Sequence, residues 1–285
     1  MHFLVLGATG MAGHLISLYL KERGHAVVGF SRRGVPFLDQ QVIGDVRDEM
    51  LLRESIDGAG FDVVINCVGV LNKAAKTNPD AAWLNGELPH VIARMTEGTP
   101  TRVFHMSTDC VFAGNTGPYT EASAPDGASA YDRTKAAGEL RDGKNLTFRN
   151  SIVGPDTSAR GIGLLNWFMQ QSGPIKGFTG AIWTGLTTLE LAKAMEHEAA
   201  ECAHGLVNMV PDGSINKYDL LQLFNRELRG GSVEIVPDAG LQLDKTLVRT
   251  NFEPSYRPKP YPEQVQEMAG WVRAHRELYP HYEVI

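Results

Sequence analysis

Cysteine is scarce: Cys67, Cys110 and Cys202 are the only three in 285 residues. They are odd in number and follow neither a zinc spacing nor a disulfide framework, which fits a reducing compartment, the cytoplasm. Nine histidines are scattered without a His-x-x-x-His or Cys/His set, so no catalytic metal is expected. No apolar run approaches the ~18 residues of a membrane helix. The apolar stretch Phe3-Leu4-Val5-Leu6 is also too short for the core of a signal peptide, so neither a membrane contact nor a leader is expected. An excess of basic residues is missing too: 27 Lys and Arg stand against 33 Asp and Glu, a net charge of -6. That excludes the broad basic footprint of a nucleic-acid binder and leaves room for a local site for an anionic ligand. Internal repeats and low-complexity tracts are absent.

What is present is an ordinary globular composition, 43% hydrophobic, with 30 glycines that punctuate an alternating pattern. Phe3 to Leu6 reads as a strand, Met11 to Arg23 as a helix and Ala26 to Phe30 as a strand. Asp48 to Asp57 reads as a helix, and Val63 to Val68 as a strand buried on both faces. Asn78-Pro79 should open a helix to about Met95, followed by a strand over Val103 to Met106. A helix over Tyr131 to Arg141 and a strand over Leu146 to Phe148 complete the series. Strands separated by helices, with no hairpin signals, predict an α/β fold with a doubly wound parallel sheet. After Gly154 the pattern loosens. A short helix is expected over Leu164 to Gln171, and a capping box at Thr187 to Glu190 should open a helix to about Ala203. Lys217 to Leu228 and Glu263 to Leu278 should be helices, separated by a proline-rich loop from Asn251 to Pro262. The expected division is 1–154 and a smaller, irregular lobe at 155–285, with the 187–203 helix packing back on the first domain.

Gly7-Ala8-Thr9-Gly10-Met11-Ala12-Gly13 sits between the first strand and the first helix. Glycines there let the backbone turn tightly and approach a pyrophosphate at the positive end of the helix dipole, the Rossmann-type arrangement for a dinucleotide. The second strand ends in Ser31-Arg32-Arg33, where an NAD-binding chain would usually place a carboxylate for the ribose 2'-hydroxyl. Arginines there would attract a 2'-phosphate, so NADPH is the expected cofactor, with NADH possible. The bland alternative is that both arginines are solvated loop residues. Asp45, beside Val46 at the end of the third strand, could bond the adenine amino group or merely cap a helix.

Tyr131 and Lys135 are four residues apart, on one face of a helix. Ser107-Thr108-Asp109 ends a strand at the carboxyl edge of the sheet, where ligands bind in such folds. With the glycine loop, these residues resemble the short-chain dehydrogenase/reductase superfamily, extended type. The resemblance narrows with Ser107 to Gly114, Pro118-Tyr119-Thr120-Glu121, Tyr131 to Lys135 and Gly138-Glu139. These look like the dTDP-4-dehydrorhamnose reductase family, as do Asn72-Lys73-Ala74, Pro79, Asn85 and the segment from Gly180 to Leu191. The likeness is dense from residue 3 to about 154 and patchy beyond. Asp132 stands where the family usually has Gly, and the last eighty residues depart from the family, which leaves sugar and nucleotide open.

The resemblance implies reduction of a nucleotide-diphosphate sugar carrying a 4-keto group, in deoxysugar or surface polysaccharide biosynthesis. Tyr131 would give the proton, Lys135 would favour phenolate and bind ribose, and Thr108 would orient the carbonyl. Cys67, Val68 and Gly69 would border the nicotinamide ribose. Asp109, Cys110 and Val111 would meet the sugar, although Asp109 could equally hold its own loop, and Trp183 would form a flat wall beside the sugar or the nicotinamide, or pack in the core. Lys73 would hold a phosphate or a sugar hydroxyl, or be a solvated lysine. A homodimer is compatible with the family. Two other readings compete: an epimerase or 4,6-dehydratase on the same scaffold, and a non-catalytic regulatory subunit like that of methionine adenosyltransferase. Cys110 is a poor acid where dehydratases carry a carboxylate, and the complete Thr108, Tyr131 and Lys135 set argues against a purely regulatory role.

Overall fold

Side chains on β1 (His2–Leu6) alternate between two apolar layers, because successive residues of a strand point to opposite faces. Phe3 and Val5 face one core cluster, which includes Leu15 and Ile16 of α1 (Met11–Glu22). Leu4 and Leu6 face the other, with Leu52 and Ile56 of α2 (Glu49–Ile56). The computed structural model describes residues 1–71 and 74–284. Burial on both faces is the reason these strands read as continuous apolar runs.

Five more strands lie in this first stretch: β2 (Ala26–Ser31), β3 (Gln40–Ile43), β4 (Val63–Asn66), β5 (Arg102–Met106) and β6 (Leu146–Arg149). Between β4 and β5 come α3 (Ala74–Thr77), a π-helical turn at Trp83–Glu87 and α4 (Leu88–Met95); α5 (Ala130–Ala137) precedes β6. The expected helix from Asn78 thus carries an extra-wide turn. The helix expected to reach Arg141 stops at Gly138, its C-cap.

Beyond β6 follow β7 (Ser151–Val153), α6 (Leu164–Met169), β8 (Ile175–Phe178), β9 (Ala181–Trp183), β10 (Gly185–Thr187), α7 (Thr188–Glu201) and β11 (Gly205–Asn208). The chain ends with β12 (Ile215–Asn216), α8 (Lys217–Arg229), β13 (Ile235–Asp238), β14 (Leu243–Asp244) and α9 (Tyr261–Ala274). The main sheet has seven strands in the order β11-β6-β5-β4-β1-β2-β3, every pairing parallel. Strand order reverses beside β1, so the crevice at its carboxyl end is the place where such sheets bind ligands.

β11 was not legible in the sequence, yet it pairs with β6 and closes that edge of the sheet. α7 packs against α1, where Glu196 accepts hydrogen bonds from Tyr19 (2.6 Å) and Arg23 (3.0 Å). The rest of the second half carries short two- and three-stranded ribbons packed around α8 and α9. Only half of the expected capping box forms: Thr187 Oγ1 accepts from Glu190 N–H (3.1 Å). The Glu190 carboxylate is drawn elsewhere, accepting from the Tyr256 hydroxyl (2.9 Å) and Lys259 N–H (2.7 Å).

Candidate active site

At the end of β1, Gly7 turns the chain with φ +81°, a left-handed conformation that side chains disfavour. Gly13 is required for another reason: a Cβ there would lie 2.1 Å from the Gly7 carbonyl oxygen. The loop thus folds tightly onto α1, whose N-cap, Gly10, offers no side-chain cap. The first amides of the helix are left for a ligand, and an anion fits them.

Two adjoining cavities open along this edge. The first, about 270 Å³, is lined by Gly7, Thr9, Gly10, Ser31, Arg32, Asp45 and Val46 among the expected residues. The second, about 300 Å³, is lined by Gly10, Met11, Thr108, Cys110, Tyr131 and Lys135. Cys67, Val68 and Gly69 border both, so the two form one continuous cleft.

Arg33 does not line the cleft, although Arg32 does. The Ser31 hydroxyl donates to the Arg33 carbonyl (2.6 Å). Arg47 and Asp80, neither expected from the sequence, join this end of the cleft. Arg47 grips Asp45 through Nε (3.0 Å) and Nη2 (2.8 Å) and reaches Asp80 through Nη1 (2.6 Å). This grip holds the Asp45 carboxyl down at about 2, with Arg47 the first cause.

At the other end, α5 presents Tyr131 and Lys135 on one face. Its capping box is complete: Ser129 Oγ accepts from Asp132 N–H (3.1 Å), and Asp132 Oδ2 accepts from Ser129 N–H (2.9 Å). Asp132, the departure from the family pattern, therefore fixes the start of the helix that carries Tyr131. Burial pushes the Tyr131 phenol well above its ordinary range, and the nearby Thr108 hydroxyl acts the other way. Burial also lowers Lys135 to about 8, partly offset by Glu139. Its Nζ donates to the Met106 carbonyl and lies 3.4 Å from His105 Nε2.

Thr108 donates to Asp109 Oδ1 (3.1 Å) and accepts from Cys110 N–H (3.2 Å). Burial pushes the Cys110 thiol up to about 12, so it is no acid at neutral pH. Behind this loop Glu139 is clamped by Arg149 through two bonds of 2.7 Å, and it accepts from Ser107 (2.8 Å). Thr108 is thereby anchored through its neighbour. Val111 is fully buried against Phe112, Tyr119 and Leu247 and does not line the cleft. Trp183, expected at the sugar, is instead only 4% exposed, packs in the core beside Tyr261 with Lys217 Nζ 4.7 Å from its ring centre, and does not line the cleft. Lys73 lies outside the described residues. Among the described residues, no group of three or more His, Cys, Asp or Glu side chains could hold a metal.

His105, beside Lys135, is a further site residue with no assigned role in the sequence motifs. A histidine inside a strand buried on both faces was a usable signal.

A family model described as RmlD substrate binding domain matches residues 1–147, just over half of the chain. The chain belongs to that family. This is the family of the dTDP-4-dehydrorhamnose reductases that the sequence motifs resemble. A relative in Haloferax volcanii, named "Probable low-salt glycan biosynthesis reductase Agl14", is 35% identical over 145 residues, covering 49% of this chain and 48% of that protein. The dTDP-4-dehydrorhamnose reductase of Salmonella typhimurium is 30% identical over 161 residues, 54% of this chain and 52% of that one. The chain thus spans about half the length of the curated relatives it matches. Among solved structures, dTDP-4-dehydrorhamnose reductase from Bacillus anthracis in complex with NADP superposes with a TM-score of 0.78 at 16% identity. That match covers 94% of this chain and 98% of the other, and it shows the shared fold.

Proposed function

We propose that the protein is an oxidoreductase that uses NADPH to reduce the 4-keto group of a nucleotide-activated 6-deoxy sugar. The observation that carries this reading is one cleft running from the uncapped end of α1 to the Thr108, Tyr131 and Lys135 side chains. The reductase names of the relatives, and the NADP held by the Bacillus anthracis neighbour, support it.

The cofactor fits the residues present. Glycine-loop amides would take the pyrophosphate, Cys67 to Gly69 would border the nicotinamide ribose, and Arg32 would meet the 2'-phosphate. When bound, NADPH supplies the hydride. Tyr131 hands its phenolic proton to the sugar oxygen, and burial keeps that proton in place until it is needed. Lys135 stabilises the phenolate left behind and binds ribose hydroxyls. Thr108 orients the ketone, while Cys110 borders the sugar. In this reading residues 1–154 hold the cofactor and 155–285 hold the sugar, in a cytoplasmic enzyme that can pair as a homodimer.

The test is NADPH oxidation with UDP-, dTDP-, GDP- and CDP-linked 4-keto-6-deoxy sugars generated enzymatically. Steady consumption with one of them supports the reading over an epimerase, which has no net need for NADPH. No consumption with any of them, together with capture of a partner enzyme, would replace it with the regulatory reading.

A further inference from the structure

Tyr279 follows α9 and reaches back to the first helix of the chain. Its hydroxyl lies 2.9 Å from His14 Nε2, and His14 Nδ1 lies 3.0 Å from the Gly10 carbonyl oxygen. A carbonyl only accepts, so Nδ1 carries the imidazole proton, and Nε2 accepts from the Tyr279 hydroxyl. Trp271 Nε1–H, on α9, donates to the same hydroxyl oxygen (3.2 Å). The donors thus run in one direction, from Trp271 to Tyr279 to His14 to Gly10. The chain lies in the interior, with His14 fully buried and Tyr279 1% exposed. Burial also holds His14 below its usual range, in the neutral form that this chain needs.

Gly10 is the N-cap of α1 and lines both cavities of the cleft. Its N–H donates to the Gly7 carbonyl (2.9 Å), and its own carbonyl accepts twice, from His14 N–H (2.9 Å) and from the His14 ring. Both sides of Gly10 are therefore pinned. A trans peptide is planar, with its N–H opposite its C=O, so the pinned Gly10 carbonyl fixes where Met11 N–H points. That is the first amide of the helix, one of those suited to an anion.

Further along the same segment, Tyr282 reaches the other bank. Asp156 N–H donates to its hydroxyl (3.0 Å), and Asp156 and Gly163 line the cavity that also holds Tyr131 and Lys135. The rings of Tyr279 and Tyr282 stack, with centres 5.7 Å apart and planes 15° apart. Between them in sequence, His281 Nε2 donates to Asn166 Oδ1 (3.2 Å), and the Asn166 amide nitrogen donates to the Gly161 carbonyl (2.7 Å). The loop at 155–163 is held close against the glycine loop: a Cβ on Gly163 would lie 2.9 Å from Met11 Sδ.

We propose that Tyr279 and Tyr282 brace the two banks of the cleft against each other, which makes them and His14 positioning residues for the dinucleotide. Tyr279 acts through His14 and Gly10 on the amide that meets the pyrophosphate. Tyr282 acts through Asp156 on the bank beside Tyr131. This rests on the cofactor half of the reductase reading and not on the sugar.

The experiment measures binding by calorimetry, without any sugar, for NADP⁺, 2'-phospho-ADP-ribose and adenosine 2'-phosphate. The second lacks the nicotinamide, and the third also lacks the pyrophosphate. Y279F should weaken NADP⁺ and 2'-phospho-ADP-ribose by about three- to tenfold, the range for one neutral hydrogen bond, and leave adenosine 2'-phosphate unchanged. Y282F should weaken NADP⁺ alone. H14N, whose amide can still donate to Gly10, should bind NADP⁺ better than H14F. Coupling is reciprocal, so NADP⁺ should slow amide hydrogen exchange across 279–284 in the wild type, and adenosine 2'-phosphate should not. That measurement needs no variant and decides the matter if a variant fails to fold. Equal weakening of all the ligands by Y279F, or of none, overturns the proposal, as does exchange at 279–284 that ignores NADP⁺. A wild type that binds none of the ligands overturns the cofactor reading with it. Failure of every keto sugar to consume NADPH would remove the reductase reading and leave the brace standing.

Discussion

Lys135 Nζ stands 3.4 Å from His105 Nε2, both side chains buried at the floor of the cleft. Asn66 accepts from Val68 N–H (3.1 Å) and turns its amide nitrogen toward His105 Nδ1 (3.3 Å). A neutral imidazole that accepts at Nδ1 carries its proton on Nε2, the atom facing Lys135. The two nitrogens are then both donors unless one gives up a proton. Burial pushes both groups toward their neutral forms, His105 well below 6.5 and Lys135 to about 8. The cleft is thus built so that Lys135 titrates close to neutrality.

The first prediction follows for activity. In reduction, Lys135 works as the cation that steadies the phenolate of Tyr131. Tyr131, raised by burial, stays protonated through this range. The value of kcat/KM with NADPH should therefore fall as pH rises through about 8. A flat profile from pH 7 to 9 would mean that the ammonium is held by another partner during turnover.

The same shift affects stability. Between about 8 and 10.5 the unfolded chain keeps the Lys135 proton that the folded chain has released. Stability from this group therefore rises with pH across that window, and the cost of burying the charge is fully present below it. Burial moves Lys217 in the same direction, while Cys67 and Cys110 are pushed upward and oppose the trend. The difference between wild type and Lys135→Met isolates the contribution. Urea melts should show the variant relatively more stable at pH 7.5 than at pH 10.

Tyr131→Phe should leave NADPH binding nearly intact and lower kcat by two or more orders of magnitude. General acid catalysis contributes about 10²–10⁴-fold, and the Cys110 thiol, pushed up to about 12, cannot replace the phenol as acid. A variant that keeps more than about a tenth of wild-type kcat would take the acid role away from Tyr131.

Much of this site was legible because local chemistry wrote it. The strand, glycine loop and helix at residues 2–22 follow from periodicity and from two glycines with steric duties. What stayed hidden depends on distant partners. β11 is four residues long and becomes a strand only by pairing with β6. The wide turn at Trp83–Glu87 follows no composition signal, yet it places Asn85, which bonds both the N–H and the carbonyl of Val70. Glu190 reads as half of a capping box until Tyr256 and Lys259 take its carboxylate. Trp183 reads as a pocket wall until Tyr261, far away in sequence, packs beside it and draws it into the core.

The Glu139–Arg149 pair gives a stability prediction. Arg149 is fully buried, stacked over Phe112 and gripped at both ends of the carboxylate. Removing the carboxylate by Glu139→Ala strands the guanidinium in the interior, a change that costs about 3–5 kcal/mol. Denaturant melts measure it. A loss under about 1 kcal/mol would show that water reaches Arg149, since exposed pairs contribute only about that much.

Cofactor choice can be tested one arginine at a time. Arg32 lines the cleft beside Ser31, and Arg33 does not; its carbonyl accepts from the Ser31 hydroxyl. Asp45, the carboxylate closest to a ribose acceptor's role, is already engaged by Arg47. The 2'-phosphate should therefore depend on Arg32. One charge-assisted hydrogen bond is worth about 1.5–3 kcal/mol, so Arg32→Ala should cut the preference for NADPH over NADH in kcat/KM by about ten- to a hundredfold. Arg33→Ala should change it little. Because Arg32 is exposed at the cleft mouth, added salt should weaken the wild-type preference and leave that of Arg32→Ala almost unmoved. Adding Ser31→Asp to Arg32→Ala should invert the preference by supplying the missing ribose acceptor. Equal loss on replacing either arginine would mean that the turn at Ser31 opens when the nucleotide binds, bringing both guanidinium groups to the phosphate.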